Sequence, residues 1–190
     1  MNSARLLTAI AFAANKHRNQ RRKDAELSPY INHPIAVATL LATEGDVTDE
    51  VILVAAVLHD TVEDTETSFE ELQEHFGPEV TNLVRELTDD KSLKKEERKQ
   101  LQIKHAPESS DRGKQLKIAD KNCNVRDIAV SPPAHWPLGR QQEYLTWSER
   151  VVAGCRGVNS KLDRAFDKAI STARNILMAE KEGSGGPIDA

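Results

Sequence analysis

From Val51 to Leu58 every side chain is apolar, and the run then breaks into His59-Asp60-Thr61-Val62-Glu63-Asp64. After its first turn the segment 48–59 is apolar nearly all round. A helix there has no face for water, so it must be a buried central helix. A buried helix that ends in charge is the tightest constraint in this sequence, because burying a carboxylate without a partner is expensive. A cation is the simplest compensation, and imidazole with carboxylate suits manganese, iron or zinc. Adjacent His59 and Asp60 can both reach one metal where the helix end loosens. If helical geometry persists, Glu63 and Asp64 sit one turn beyond and could face a water at that metal without binding it. The competing reading is a solvated helix C-terminus, which the helix dipole disfavours for carboxylates.

Nearly everything around this element also reads as helix. Residues 4–16 are rich in Ala and Leu. His33-Pro34 opens a second helix, with Pro34 at the first helical position, where its missing N–H costs nothing; it ends near Gly45. Ser68-x-x-Glu71 is a capping box for a short helix that stops before Gly77-Pro78. Helices are expected over 78–88, 94–105 (charged and exposed), 111–129 and 138–154. In the last, 160–179, Leu162, Phe166, Ala169, Ile170, Ala173, Ile176 and Leu177 form one stripe. No stretch alternates with period two. The expected class is all-α: a compact single-domain helical bundle over 1–180, followed by a flexible tail over 181–190, where Gly183-Ser184-Gly185-Gly186-Pro187 begins.

At 190 residues the chain suits one domain with a sizeable core. No apolar run approaches the roughly 20 residues that cross a bilayer. The apolar N-terminus carries Asn15 and Lys16 where a signal peptide would have its cleavage site, so it reads as a core helix and the expected location is cytoplasmic. Cys123 and Cys155 fit no metal or CxxC spacing and read as small buried hydrophobes in a reducing compartment. A net charge of −4 argues against a nucleic-acid surface. Two local basic clusters, 16–23 and 91–99, fit a small anionic ligand better than a long polyanion.

Two further candidates join the His59-Asp60 centre. His33 sits at the mouth of a helix. Asp120 lies among apolar residues in Lys117-Ile118-Ala119-Asp120-Lys121-Asn122-Cys123-Asn124, with Asn124 one turn on along the same face. Their bland alternatives are a capping histidine and an ion pair of Asp120 with Lys117 or Lys121. The basic cluster before His33 has its own alternative, a solvated loop, and Trp136 could equally be a packing residue. His17, His75, His105 and His135 show no partner pattern and read as surface or structural histidines.

The order H…HD…D resembles the signature of the HD superfamily of metal-dependent phosphohydrolases. Longer blocks are more specific: Arg21-Arg22-Lys23, Pro29-Tyr30-Ile31-Asn32-His33-Pro34, Leu58-His59-Asp60-Thr61-Val62-Glu63-Asp64-Thr65, Leu87-Thr88-Asp89-Asp90-Lys91 and Lys117-Ile118-Ala119-Asp120-Lys121. They resemble the hydrolase domain of RelA/SpoT-type enzymes, above all the stand-alone small alarmone hydrolases of the metazoan SpoT-homologue kind, from about residue 5 to residue 178. The resemblance implies that His33, His59, Asp60 and Asp120 bind a metal, usually manganese, and that Glu63 and Asp64 position and activate the attacking water. It implies that Arg22, Lys23 and Asn124 surround the nucleotide and its phosphates, with Lys95, Trp136, Arg140 and Tyr144 as an outer rim. Asn122-Cys123 replaces a bulkier pair common in relatives.

The reaction so implied releases pyrophosphate from the 3′ position of guanosine tetra- or pentaphosphate, (p)ppGpp, leaving GDP or GTP. Other expectations stay open. The chain could be an NADPH 2′-phosphatase or another HD-type nucleotide phosphohydrolase. It could also be a nucleotide sensor without turnover, although a sensor is expected to have lost a catalytic side chain and all six are present. The chain's end at Ala190 leaves no room for a synthetase domain. The expected partner is a small nucleotide, with no nucleic acid and no membrane; the sequence leaves the oligomeric state open.

Overall fold

A computed structural model describes residues 3–183, with side chains to residue 181. Among these residues all regular elements are helical: α1 (Ser3–Lys16), α2 (Asn32–Thr43), α3 (Glu50–Leu58), α4 (Thr61–Asp64), α5 (Phe69–Leu87), α6 (Lys95–His105), α7 (Asp111–Val130), α8 (Leu138–Ala153) and α9 (Ser160–Gly183), with a 3₁₀ turn at Ala106–Glu108. The all-α expectation holds. The last helix runs three residues past the boundary expected at 180, and the tail from 184 onward lies outside the described residues.

Helix α3 is the hub. All eight residues from Val51 to Leu58 are buried, and the helix packs on α1, α2, α5 and α7. Asp49 starts it by accepting from the Val51 N–H at 2.9 Å. Each of its larger aliphatic side chains contributes about 1.5–3 kcal/mol by leaving water. Helix α7 lies along α9 and also meets α2, α5 and α8. It is buried on more than one face, at Leu116, Ile118, Ala119, Cys123, Val125 and Ile128. The expected α9 stripe is buried at Leu162, Phe166, Ala169, Ile170, Ala173 and Leu177, with Ile176 at its edge. Both cysteines are free and buried.

Two local differences have clear causes. The helices expected on either side of Gly77-Pro78 join into α5, bent where Gly77 takes φ 76° and ψ 170°, a conformation nearly reserved for glycine. Helix α2 begins at Asn32, so Pro34 is its third residue. Its missing N–H still costs nothing, because that position has no intrahelical acceptor for an N–H. No described helix is long and apolar enough to cross a membrane.

Candidate functional site

The helices bring four polar side chains to one point at the end of α3. The α3 helix stops at Leu58, His59 caps it, and Asp60 turns the chain (φ −95°, ψ −3°) into the single turn of α4. The Thr61 hydroxyl, wholly buried, holds this bend by donating to the Leu58 carbonyl at 2.7 Å. The loosened helix end lets adjacent residues face one point: His59 Nε2 lies 3.2 Å from Asp60 Oδ2. From the first turn of α2, His33 Nε2 comes within 3.9 Å of the same oxygen. From the middle of α7, Asp120 Oδ1 lies 3.0 Å from His33 Nε2 and 3.9 Å from His59 Nε2.

The ligand atoms of His33, His59 and Asp60 all lie within 4.8 Å of one another, an arrangement that could hold a metal ion. Three surrounding contacts fit that use. His59 Nδ1 lies 2.7 Å from the Ala56 carbonyl. A proton on Nδ1 satisfies that carbonyl and leaves the Nε2 lone pair facing the cluster, as in most histidine metal sites. The Tyr30 hydroxyl donates to Asp60 Oδ2 at 2.7 Å. Asp120 is gripped on both oxygens: Asn124 Nδ2 donates to Oδ1 at 2.7 Å and the Lys121 ammonium to Oδ2 at 2.7 Å. Two imidazole nitrogens and two carboxylate oxygens form a borderline-hard donor set suited to a divalent first-row metal. Burial works to lower the His59 imidazole, but the charge of Asp60, and of Asp120 behind it, overrides burial and holds it up at about 9. Burial likewise works against the Asp60 and Asp120 carboxylates. The imidazoles beside Asp60, and Lys121 with His33 beside Asp120, hold both far below the usual carboxylate range.

Glu63 and Asp64 stand one turn on, in α4, and the structure separates their surroundings. Glu63 is the more enclosed. Burial pushes its carboxyl up, against the Asp89 N–H that donates to it at 3.2 Å. Arg98 and Lys91 lie 3.5 and 3.7 Å from its other oxygen. Asp64 is ion-paired with Lys91 and accepts from Gln20 Nε2 at 3.1 Å.

The basic stretch before His33 is a bridged turn in which Arg22 is half-buried while Arg21 and Lys23 are exposed. Arg21 and Pro29 form an isolated antiparallel bridge, and the Arg22 N–H donates to the Ser28 carbonyl at 2.8 Å. Arg22 forms an ion pair with Asp127, lies 3.3 Å from Asn124 Oδ1, and rests 5.7 Å from the centre of the Tyr30 ring. Arg22, Lys23, Asn124, Trp136 and Tyr144 line a cavity of about 710 Å³ that reaches His33. The Lys23 carbonyl accepts from the Ala134 N–H at 2.8 Å and so ties the Trp136 segment to the basic arm. Lys95 and Arg140 meet this wall through Trp136, with their charges 5.9 and 4.4 Å from its ring centre.

The sequence reading gave no role to several residues found here. Tyr30 stands three before His33 and grips Asp60. Asp127 stands seven after Asp120 on the same face of α7, a spacing that could have marked it. Arg98 was hidden in a helix that reads as a solvated charged face. His17 is buried, with its ring 5.0 Å from that of Tyr30.

Comparison with known proteins places these features in a family. A family model described as an HD domain matches residues 9–146. A Xenopus tropicalis protein named guanosine-3′,5′-bis(diphosphate) 3′-pyrophosphohydrolase MESH1 is 53% identical over 166 residues, 87% of this chain and 93% of that one. The Homo sapiens protein of the same name is 53% identical over 164 residues, 86% of this chain and 92% of that one. A solved structure described as "A metazoan ortholog of SpoT hydrolyzes ppGpp and plays a role in starvation responses" superposes with a TM-score of 0.88 at 48% identity, over 93% of this chain and 98% of that one. A Listeria monocytogenes structure superposes with a TM-score of 0.62 at 31% identity, over 77% of this chain and 99% of that one.

Proposed function

The chain belongs to the HD-domain family, and on that premise we propose that it is a cytoplasmic, manganese-dependent hydrolase of guanosine 3′,5′-bis(diphosphate) acting at the 3′ position. The observation that carries this reading is the convergence of His33, His59, Asp60 and Asp120 on one point at the edge of a cavity lined by Arg22 and Lys23.

His33, His59, Asp60 and Asp120 would hold the ion. A divalent cation bound there lowers the pKa of a water and polarises a phosphoryl oxygen. The protein's own residues do the rest. Glu63, its carboxyl pushed up by burial, takes a proton from the attacking water; such a base is typically worth about 10² to 10⁴ in rate. Asp64, pinned by Lys91 and Gln20, orients that water. The water oxygen bonds to the 3′ phosphorus, the bond from phosphorus to the ribose 3′ oxygen breaks, and the ribose oxygen ends protonated. The products are GDP and pyrophosphate. Arg22 and Lys23 neutralise phosphate charge that the carboxylates of the site would otherwise repel. Trp136, flanked by Lys95 and Arg140, offers a stacking face and a cationic edge for the rest of the nucleotide.

Separate incubations with guanosine tetraphosphate and NADPH, followed by chromatography of the products, test the assignment. GDP and pyrophosphate are expected from the first. Survival of the tetraphosphate while NADPH loses its 2′-phosphate would replace this reading with the phosphatase one.

A further inference from the structure

Gln20, Tyr30 and Asp64 line the large cavity, and His17 stands behind them, only 2% exposed. The chain here forms a tight unit. The His17 N–H donates to the Ala13 carbonyl at 2.9 Å, and the His17 carbonyl accepts from the Gln20 N–H at 2.9 Å. The Gln20 carbonyl in turn accepts from the Tyr30 N–H at 3.1 Å. This unit delivers two donors to the site: the Tyr30 hydroxyl to Asp60 Oδ2 at 2.7 Å, and Gln20 Nε2 to Asp64 Oδ2 at 3.1 Å. The His17 side chain touches both suppliers. Its Nδ1 lies 2.7 Å from Gln20 Oε1, and its ring centre lies 5.0 Å from that of Tyr30.

The chemistry of these groups fixes where the protons sit. The Asp64 carboxylate, paired with Lys91, can only accept, so the NH2 end of the Gln20 amide must face it. The carbonyl end of that amide then faces His17, and Nδ1 must carry the proton between them. The other ring nitrogen supports the same placement. His17 Nε2 is buried and has no hydrogen-bond partner among the described residues. A proton moved there would be an unused buried donor, and a bare Nδ1 would oppose the Gln20 oxygen; one good bond would be exchanged for two unmade ones. A carboxamide has nearly the same shape either way round, so only its partners decide which end faces which neighbour. At the inner end of Gln20 that partner is His17.

We propose that His17 is a positioning residue for hydrolysis: its Nδ1–H fixes the Gln20 amide, and the amide N–H holds the Asp64 carboxylate that orients the attacking water. The inference rests on the reading of Glu63 and Asp64 as the pair that handles this water. His17 itself touches neither substrate nor metal-ligating atoms. It acts through Gln20, so its loss should lower kcat and leave KM alone, the pattern of an interaction that matters in the transition state.

The test joins NMR with a double-mutant cycle. Nitrogen-15 spectra of the histidine-labelled wild type, loaded with diamagnetic magnesium, should show a proton on His17 Nδ1. His17→Phe keeps a ring against Tyr30 but has no N–H, whereas His17→Asn places an amide N–H near the position of Nδ1. On guanosine tetraphosphate, His17→Phe should lower kcat roughly 2- to 10-fold, the range for one lost neutral hydrogen bond, and His17→Asn should recover part of it. In a Gln20→Met background His17→Phe should cost nothing further, because the group it acts through is gone. Manganese affinity, measured against a chelator, should match the wild type in His17→Phe. A bare Nδ1, an unchanged kcat in His17→Phe, or an equal fall with and without Gln20 would overturn the assignment. So would a loss of manganese affinity that matches the fall in kcat, since the effect would then run through Tyr30 and Asp60. If the wild type does not turn over the tetraphosphate, the hydrolase reading fails by itself, and the nitrogen spectra still decide whether His17 sets the Gln20 amide.

Discussion

Asn124 joins the two halves of the site through Asp120: its Nδ2 donates to Asp120 Oδ1 at 2.7 Å while its own Oδ1 lies 3.3 Å from the Arg22 guanidinium. One amide therefore orients both a candidate metal-ligating carboxylate and a candidate phosphate-binding cation. Asn124→Leu removes both contacts without adding charge. Metal affinity is expected to fall roughly 10- to 100-fold, the usual cost of losing such a supporting contact. Competition against a chelator of known affinity would measure it, and affinity equal to the wild type would remove Asn124 from the metal site.

Asp127 offers a separable effect. It pairs with Arg22, but its side chain is 48% exposed. A pair that open to water is worth about 1 kcal/mol at most. Asp127→Ala should therefore raise KM by no more than about fivefold, with kcat nearly constant, because only the orientation of a binding cation is lost. A large fall in kcat would place Asp127 closer to the chemistry than its contacts suggest.

Most of the architecture was legible because it follows from apolar spacing. The unbroken run Val51–Leu58 identified the hub, and the cap at Ser68 lies where the capping box signals it. The four converging residues were visible as a resemblance, but their convergence was not: His33 and Asp120 are 87 residues apart, and only the packing of α2 on α7 brings them to 3.0 Å. What sequence reading lacked was a way to tell a solvated charge from an enclosed one. Arg98 sits in a stretch whose composition resembles any exposed helix, yet its guanidinium lies 3.5 Å from Glu63.

The bend in α5 gives a stability contrast. Gly77 holds a conformation that costs an L-residue about 1–3 kcal/mol. Gly77→Ala should lower Tm by roughly 2–10 °C. Gly139 lies in α8 with open space where a Cβ would stand. Gly139→Ala should be neutral or stabilising by about 0.4–1 kcal/mol. Calorimetry of the pair would check the contrast, and equal losses would contradict it.

The cysteines should be inert in the folded protein. Burial pushes the Cys123 thiol up to about 12 and the Cys155 thiol up to about 11. A raised pKa leaves almost no thiolate at pH 8, and the thiolate is the reactive form. Titration with a disulfide reagent at pH 8 should detect both thiols after denaturation and almost none before it. Rapid labelling of the native protein would show that one of them is reachable.

The central claim is that His33, His59, Asp60 and Asp120 hold one ion on which hydrolysis depends. Its most direct test is to strip the protein with EDTA, add manganese back in steps, and follow both bound metal and release of pyrophosphate from guanosine tetraphosphate. Turnover should vanish on stripping and return in proportion to bound manganese, saturating at one ion per chain, with His59→Ala restoring neither binding nor turnover. Undiminished turnover by the metal-free protein, or full activity in His59→Ala, would contradict it.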